Sequence, residues 1–224
     1  MMGAPLRLVI FDCDGVLVDS EPASRRVVAL EAARLGWAIT EADKDGCVGL
    51  RWSDLQAAFE TGSGTVLPAD WPLYMQSRVI AAMAGHVLAI PGAASVLRAT
   101  ASLGLPYRVA SNSSHEEMAE KFSATGLVEL VAGRVHSARD VGVGKPAPDL
   151  FLVAAAAGGV RPENCVVVED SRPGVTAALA AGMRCILYAP DGDPEEIAQL
   201  GARQVRSLAE LPALFATAML ERAA

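Results

Sequence analysis

Apolar residues along this chain gather in short runs at residues 6–11, 107–110, 166–168 and 185–188, each closed off by glycine, proline or a polar cluster. Runs this short, without polar alternation, predict parallel strands buried on both faces. Residues 92–102, 116–124, 149–157 and 175–181 lie between or after them and have helix-compatible composition. Two of these helices have clear starts, with Ser114 ahead of the Glu116-Glu117 pair and Pro148-Asp149 opening the third. Strand and helix alternating in this way predict a doubly wound α/β layer structure. The stretch from about Glu21 to Gly85 breaks the rhythm. It predicts helices over residues 23–35, 53–60 and 72–84 and no strand, as an inserted helical domain would. Its flanks, Asp19-Ser20-Glu21-Pro22 and Gly85 to Pro91-Gly92, carry hinge-like turn residues. The expected division is therefore residues 1–19 and 87–224 for the sheet domain and 20–86 for the insertion.

Composition narrows the function classes. With 224 residues and 52% hydrophobic content, the chain can bury a full core. A net charge of -7 argues against a nucleic-acid or anionic-membrane surface. The start, Met1-Met2-Gly3-Ala4-Pro5, has no charged and apolar leader pattern, and no stretch reaches about 18 uninterrupted apolar residues. A cytoplasmic protein is expected. Cys13, Cys47, Cys165 and Cys185 are widely spaced with no C-x-x-C pair, so buried free thiols are expected over disulfides or zinc ligands.

The candidate chemistry sits where strands end. The first run closes in Asp12-Cys13-Asp14-Gly15. Alternation along a strand sends Asp12 and Asp14 to one side and Cys13 back toward the core. Two like charges so placed need a cation or a shared proton. Three further clusters follow: the hydroxyl-rich turn Ser111-Asn112-Ser113-Ser114, the Gly144-Lys145-Pro146 loop, and Glu169-Asp170-Ser171 at the end of a valine strand. Ligands of open α/β sheets collect beyond such strand ends, and a helix start after Ser114 could accept phosphate. Asp12, Asp14, Glu169 and Asp170 would gather hard oxygen donors around one point, a set suited to Mg2+. The loop is not an EF-hand, since Val16 and Leu17 stand where an oxygen ligand and glycine are needed. Nor is Gly142-Val143-Gly144-Lys145 a Walker motif, because Pro146 replaces the required Ser or Thr.

These four clusters, in this order, resemble the motifs of the haloacid dehalogenase superfamily, in its phosphatase and sugar-phosphate mutase subgroup with a small helical cap. The resemblance spans roughly residues 6–183. It implies a Rossmann-like core, a mobile cap, and Mg2+-dependent hydrolysis of a small phosphorylated metabolite, a sugar or sugar-acid phosphate, through an aspartyl-phosphate. Asp12 would be the nucleophile and Asp14 the general acid and base, a role that calls for a raised pKa in Asp14. Lys145 would offset charge on the transferring oxygens. Ser111 and the following amides, with Asn112 and Gly15 nearby, would bind phosphate. Asp170, Asp12 and the backbone carbonyl of Asp14 would hold metal, with Glu169 direct or through water. Substrate choice falls to the insertion, where Arg51 could pair with an anionic group, Trp52 could stack on a sugar face, and Glu21 could reach the site from the hinge. A packed Trp52 and a solvated Arg51 remain equal alternatives. Sugar-phosphate mutases of the family carry a histidine in the first cap helix, and this chain has none before His86, which favours hydrolysis. A catalytically silent phospholigand-binding module is the reading from another class, and it would have lost a carboxylate or Lys145.

Overall fold

A computed structural model describes residues 4–47, 50, 52–83, 87–192 and 200–220. Six strands form one parallel sheet: β1 (Leu8–Phe11), β4 (Tyr107–Ser111), β5 (Val135–Ser137), β6 (Cys165–Glu169), β7 (Arg184–Tyr188) and β8 (Arg203–Val205), in the spatial order β5-β4-β1-β6-β7-β8. The non-alternating runs have a direct explanation. Leu8 and Ile10 of β1 enter one apolar cluster and Val9 and Phe11 the other, and in β6 Cys165 and Val167 part from Val166 and Val168 in the same way. These two central strands are therefore apolar on both faces because helices cover both.

On one face lie α9 (Asp149–Ala157) and α10 (Arg172–Ala180), which contribute Phe151, Ala154, Val175 and Ala178. The other face is covered by α5 (Ala93–Ser102), α6 (His115–Thr125) and α11 (Leu211–Met219). There Phe11 meets Tyr107 and Phe215 edge-on, with ring centroids 6.1 and 6.3 Å apart. Two single-turn helices, α7 (Val128–Val131) and α8 (Ala138–Val141), flank β5.

The irregular stretch folds as α1 (Glu21–Arg34), α2 (Glu41–Cys47), α3 (Trp52–Ser63) and α4 (Trp71–Met83). It leaves and re-enters the sheet region through two antiparallel two-residue strands, β2 (Val18–Asp19) and β3 (Leu88–Ala89). An aromatic row of Trp37, Phe59 and Trp71, with centroid spacings of 5.1 and 5.0 Å, fills its centre. Beside it Glu31 is fully buried and accepts from Trp71 Nε1 at 2.9 Å and from Arg34 Nε and Nη2 at 2.9 and 2.7 Å. The helices rest on the sheet domain through α4 against α6, where Gln76 Nε2 donates to Ser114 Oγ at 3.0 Å.

Elements β2, β3, β5, β8, α2, α7, α8 and α11 go beyond the sequence expectation. The strands among them have only two or three residues, and β5 and β8 carry His136, Arg203 and Gln204, so they present no apolar run. Helix α2, with the sequence EADKDGC, carries almost no apolar side chain. All four cysteines are buried free thiols, as expected.

Candidate active site

Strands β4, β1 and β6 are neighbours, so Ser111, Asp12 and Glu169 meet at their carboxyl ends. The amide of Asp12 donates to Val168 O at 2.9 Å, which carries the pairing one residue past β1. The chain then turns sharply. Leu17 and Val18 amides return to Cys13 O, and Gly15 takes φ +77°. A Cβ on Gly15 would stand 1.8 Å from Asp170 Oδ2, so both the backbone conformation and the close approach demand glycine. Cys13 is fully buried in the apolar cluster, as the alternation argument requires.

Two lysine–carboxylate groups form the site. In the first, Lys145 Nζ donates to Asp12 Oδ1 at 2.5 Å and to Glu169 Oε1 at 2.7 Å, all three side chains being buried. The other oxygen of Glu169 accepts from the amides of Asp170 and Ser171 and from Ser171 Oγ at 2.8–2.9 Å. Glu169 is thereby held as the clasp between Lys145 and the start of α10. The Lys145 ammonium also lies 4.8 Å from the Phe151 ring centroid, a cation–π contact that offsets part of its desolvation. Its loop is pinned from below, where Lys145 N donates to Asn112 Oδ1 at 2.9 Å. Asn112 thus spends its carbonyl oxygen on the loop.

The second group surrounds Asp14. Its Oδ2 accepts from Ser111 Oγ at 3.2 Å and Ser113 Oγ at 3.0 Å. Its Oδ1 accepts from Ser20 Oγ and lies 2.6 Å from Lys121 Nζ. Lys121 donates in turn to Ser113 Oγ at 2.7 Å. The sequence reading passed over Lys121 entirely. A signal was present: a lysine shares the inward stripe of α6 with Met118 and Phe122, a place where an unpaired ammonium would be costly.

The electrostatics separate the two aspartates. Burial pushes Asp12 up to about 7, with the charges of Glu169 and Asp14 adding to it and Lys145 opposing. Burial likewise raises Asp170 well above the usual carboxylate range, and Glu169 and Asp12 reinforce the effect. For Asp14 burial is outweighed by the Lys121 charge and by hydrogen bonds from Lys121, Ser20 and Ser113, and its pKa is lowered. The expected raised pKa in Asp14 is therefore not found, because a buried ammonium faces it. Oxygens of Asp12, Glu169 and Asp170 lie within 4.8 Å of one another. Three carboxylates so close, two of them resisting ionisation, form a hard-oxygen set that a divalent cation would relieve. The Asp14 side chain turns away from this trio toward Lys121 and the serines.

Of the remaining candidates, Glu21 and Trp52 are engaged elsewhere. Glu21 is exposed and pairs with Arg25 at 3.1 Å. Trp52 is half-buried and packs on the apolar cluster. Arg51 and His86 lie outside the described residues. His115 pairs with Asp140 at the surface.

Comparison with known proteins agrees with this geometry. The family model for haloacid dehalogenase-like hydrolases matches residues 6–182. Hexitol phosphatase A of Escherichia coli K12 is 32% identical over 196 residues, covering 83% of this chain and 84% of that protein. Protein SUPPRESSOR OF QUENCHING 1, chloroplastic, of Arabidopsis thaliana is also 32% identical, over 80% of this chain, but the chain spans only 17% of that protein's length. A haloacid dehalogenase family hydrolase from Deinococcus radiodurans R1, solved with bound phosphate and sodium, superposes with a TM-score of 0.77 at 37% identity, covering 98% of this chain and all of that one.

Proposed function

The chain belongs to the haloacid dehalogenase-like hydrolases, and on that footing we propose that it is a Mg2+-dependent phosphatase of a small sugar or sugar-acid phosphate, acting through an aspartyl-phosphate. One observation carries the reading. Asp12, at the end of β1, is buried against the Lys145 ammonium and beside Asp170, within an arrangement that has Ser111 on one flank and Glu169 on the other. A carboxylate so placed can approach a phosphoryl group only where positive charge meets the phosphoryl oxygens.

In the proposed reaction, an Asp12 oxygen attacks phosphorus while the bond to the leaving oxygen breaks, and Lys145 bonds the transferring oxygens. Ser111 and the amides after it hold the phosphoryl group at the start of α6. Asp14, whose pKa Lys121 lowers, takes up the proton brought by the phosphomonoester monoanion and delivers it to the leaving alkoxide, then accepts one from the water that cleaves the Asp12 acyl-phosphate. Asp12 and Asp170, with Glu169 behind them and the backbone carbonyl of Asp14, would hold Mg2+. When bound, that ion supplies charge neutralisation for the transferring phosphoryl group. Gly15 keeps backbone against Asp170, and Asn112 holds the Lys145 loop in reach. The helical insertion, joined through the β2–β3 strap, acts as the cap that selects the substrate, with Glu21, Arg51 and Trp52 as its candidate contacts. Hexitol phosphatase A among the relatives supports a polyol or sugar phosphate.

The test is inorganic phosphate release from a panel of phosphorylated sugars, polyols and sugar acids, with Mg2+ or EDTA, for the wild type and Asp12→Asn. Mg2+-dependent release abolished by the substitution is the expected outcome. Interconversion of a hexose phosphate without release would make the protein a mutase. Metal-dependent ligand binding without turnover would make it a silent module.

A further inference from the structure

We propose that Lys121 is a positioning residue of this reaction, holding the Asp14 carboxylate and the Ser113 hydroxyl in a single arrangement at the leaving-group side of the site; the inference rests on the phosphatase reading above.

Lys121 is the most costly residue that its place on α6 could hold. The helix turns Met118 and Phe122 into the apolar cluster from the same face, yet the Lys121 side chain between them is only 3% exposed. A methionine or leucine would fill that space without the desolvation of an ammonium, which costs several kcal/mol unless closely matched. Packing alone does not account for a lysine there. What the ammonium does is close a triangle: it lies 2.6 Å from Asp14 Oδ1, donates to Ser113 Oγ at 2.7 Å, and Ser113 donates to Asp14 Oδ2 at 3.0 Å. Without Lys121, Asp14 would keep only hydroxyl donors from Ser20, Ser111 and Ser113. Each of those rotates freely and carries no net charge. With it, a charged donor from α6 joins the hydroxyls that β4, the turn after β4 and the residue before α1 direct at the two oxygens. The arrangement parallels the grip of Lys145 on Asp12 and Glu169, so each aspartate has its own lysine from a different element.

If Lys121 acts through Asp14, its loss matters in proportion to how much the leaving group needs a proton. A sugar or polyol phosphate releases a strongly basic alkoxide, whereas p-nitrophenyl phosphate releases a weakly basic phenolate. The experiment compares full-length wild type, Lys121→Met and Lys121→Arg on glycerol phosphate and on p-nitrophenyl phosphate in Mg2+, with far-UV circular dichroism and melting to verify folding. For Lys121→Met the expected result is a kcat/KM on glycerol phosphate lower by about 10- to 100-fold, in line with the cost of misplacing an acid–base group by about 1 Å. The kcat/KM on p-nitrophenyl phosphate should change less than about threefold, because it reports only the steps up to leaving-group departure, where the phosphoryl contacts remain, and not the later hydrolysis that Asp14 assists for both substrates. Lys121→Arg, which keeps the charge but displaces it, should give the same split at smaller amplitude. It also carries the test if Lys121→Met does not fold. Equal losses of kcat/KM on both substrates, or full activity, would overturn the proposal while leaving the phosphatase reading intact. A wild type inert toward p-nitrophenyl phosphate and toward every compound of the panel above would overturn the phosphatase reading, and this inference with it.

Discussion

Asp170 and Asp12 stand close enough to repel one another, and buried Glu169 adds to the strain on each. The sign of the consequence follows from the shift. An unfolded aspartate ionises near pH 3.9 and Asp12 in the folded protein near 7, so between those values the folded state alone retains the proton. Stability of the metal-free protein should therefore fall as pH rises through this window, and the cost persists above it. A cation on the ionised trio removes that cost. Mg2+ should accordingly raise the melting temperature more at about pH 8 than at about pH 5.5. Asp170→Asn should melt higher than wild type in EDTA at the upper pH, and should lose the response to Mg2+. Equal metal shifts at the two pH values would contradict this account. At Gly15 the strain runs the other way: Gly15→Ala places a methyl in the space of Asp170 with φ positive, and should lower stability by about 2 kcal/mol or more and remove Mg2+-dependent turnover. Asp12, Asp14, Ser111, Lys145, Glu169 and Asp170 were legible as a group because each follows a recognisable strand or an unusual loop. Lys121 was not, since the stripe it shares with Met118 and Phe122 marks a buried ammonium without saying which distant acid faces it.

Among the elements, the long helices and the four central strands declared themselves through apolar pattern and caps. Ser114 is the N-cap of α6 with Glu117 closing a capping box, and the Phe11, Val109 and Val168 runs pair in register as a parallel core. The edge strands β5 and β8 and the β2–β3 strap take their structure from neighbours, so a window of two or three residues could not reveal them. The insertion offers a sharper example. Glu31 falls in α1 with Ala32 and Val28 and looks from sequence like a surface residue of a helix, yet it is buried and joins α1 to α4 through Trp71, Tyr74 and Arg78. Hydrogen bonds from Arg34, with the others in support, hold its pKa below the ordinary glutamate value. A lowered native pKa stabilises above the unfolded value and is lost as pH falls through the native one, so this clasp should weaken as pH falls below the ordinary glutamate range. Glu31→Leu should destabilise the protein by about 2–3 kcal/mol at neutral pH by orphaning the Trp71 donor and the arginines, with kcat at saturating substrate nearly unchanged. Chemical denaturation alongside steady-state kinetics checks both halves.

At the scale of the molecule, the question is whether insertion and sheet domain stand or fall together. A single apolar cluster runs from Phe11 and Val109 beneath the sheet, through Val16, Leu17 and Val18 of the turn after β1, into Val27, Met75 and Val79 of the helices. The α4–α6 contact and the Gln76–Ser114 hydrogen bond add a second connection near the phosphate-binding turn. Peeling the helices away would expose apolar side chains on both sides at once, at about 25 cal/mol per Å2, with little of the backbone freedom regained that full unfolding provides. One cooperative transition is therefore expected. The chain supplies its own reporters, because all three tryptophans, Trp37, Trp52 and Trp71, lie in the insertion, whereas backbone circular dichroism samples every element. In a urea titration, tryptophan fluorescence and far-UV circular dichroism should give coincident midpoints and slopes. A fluorescence midpoint at clearly lower urea would mean that the insertion unfolds on an intact sheet, and that the shared cluster does not couple the two.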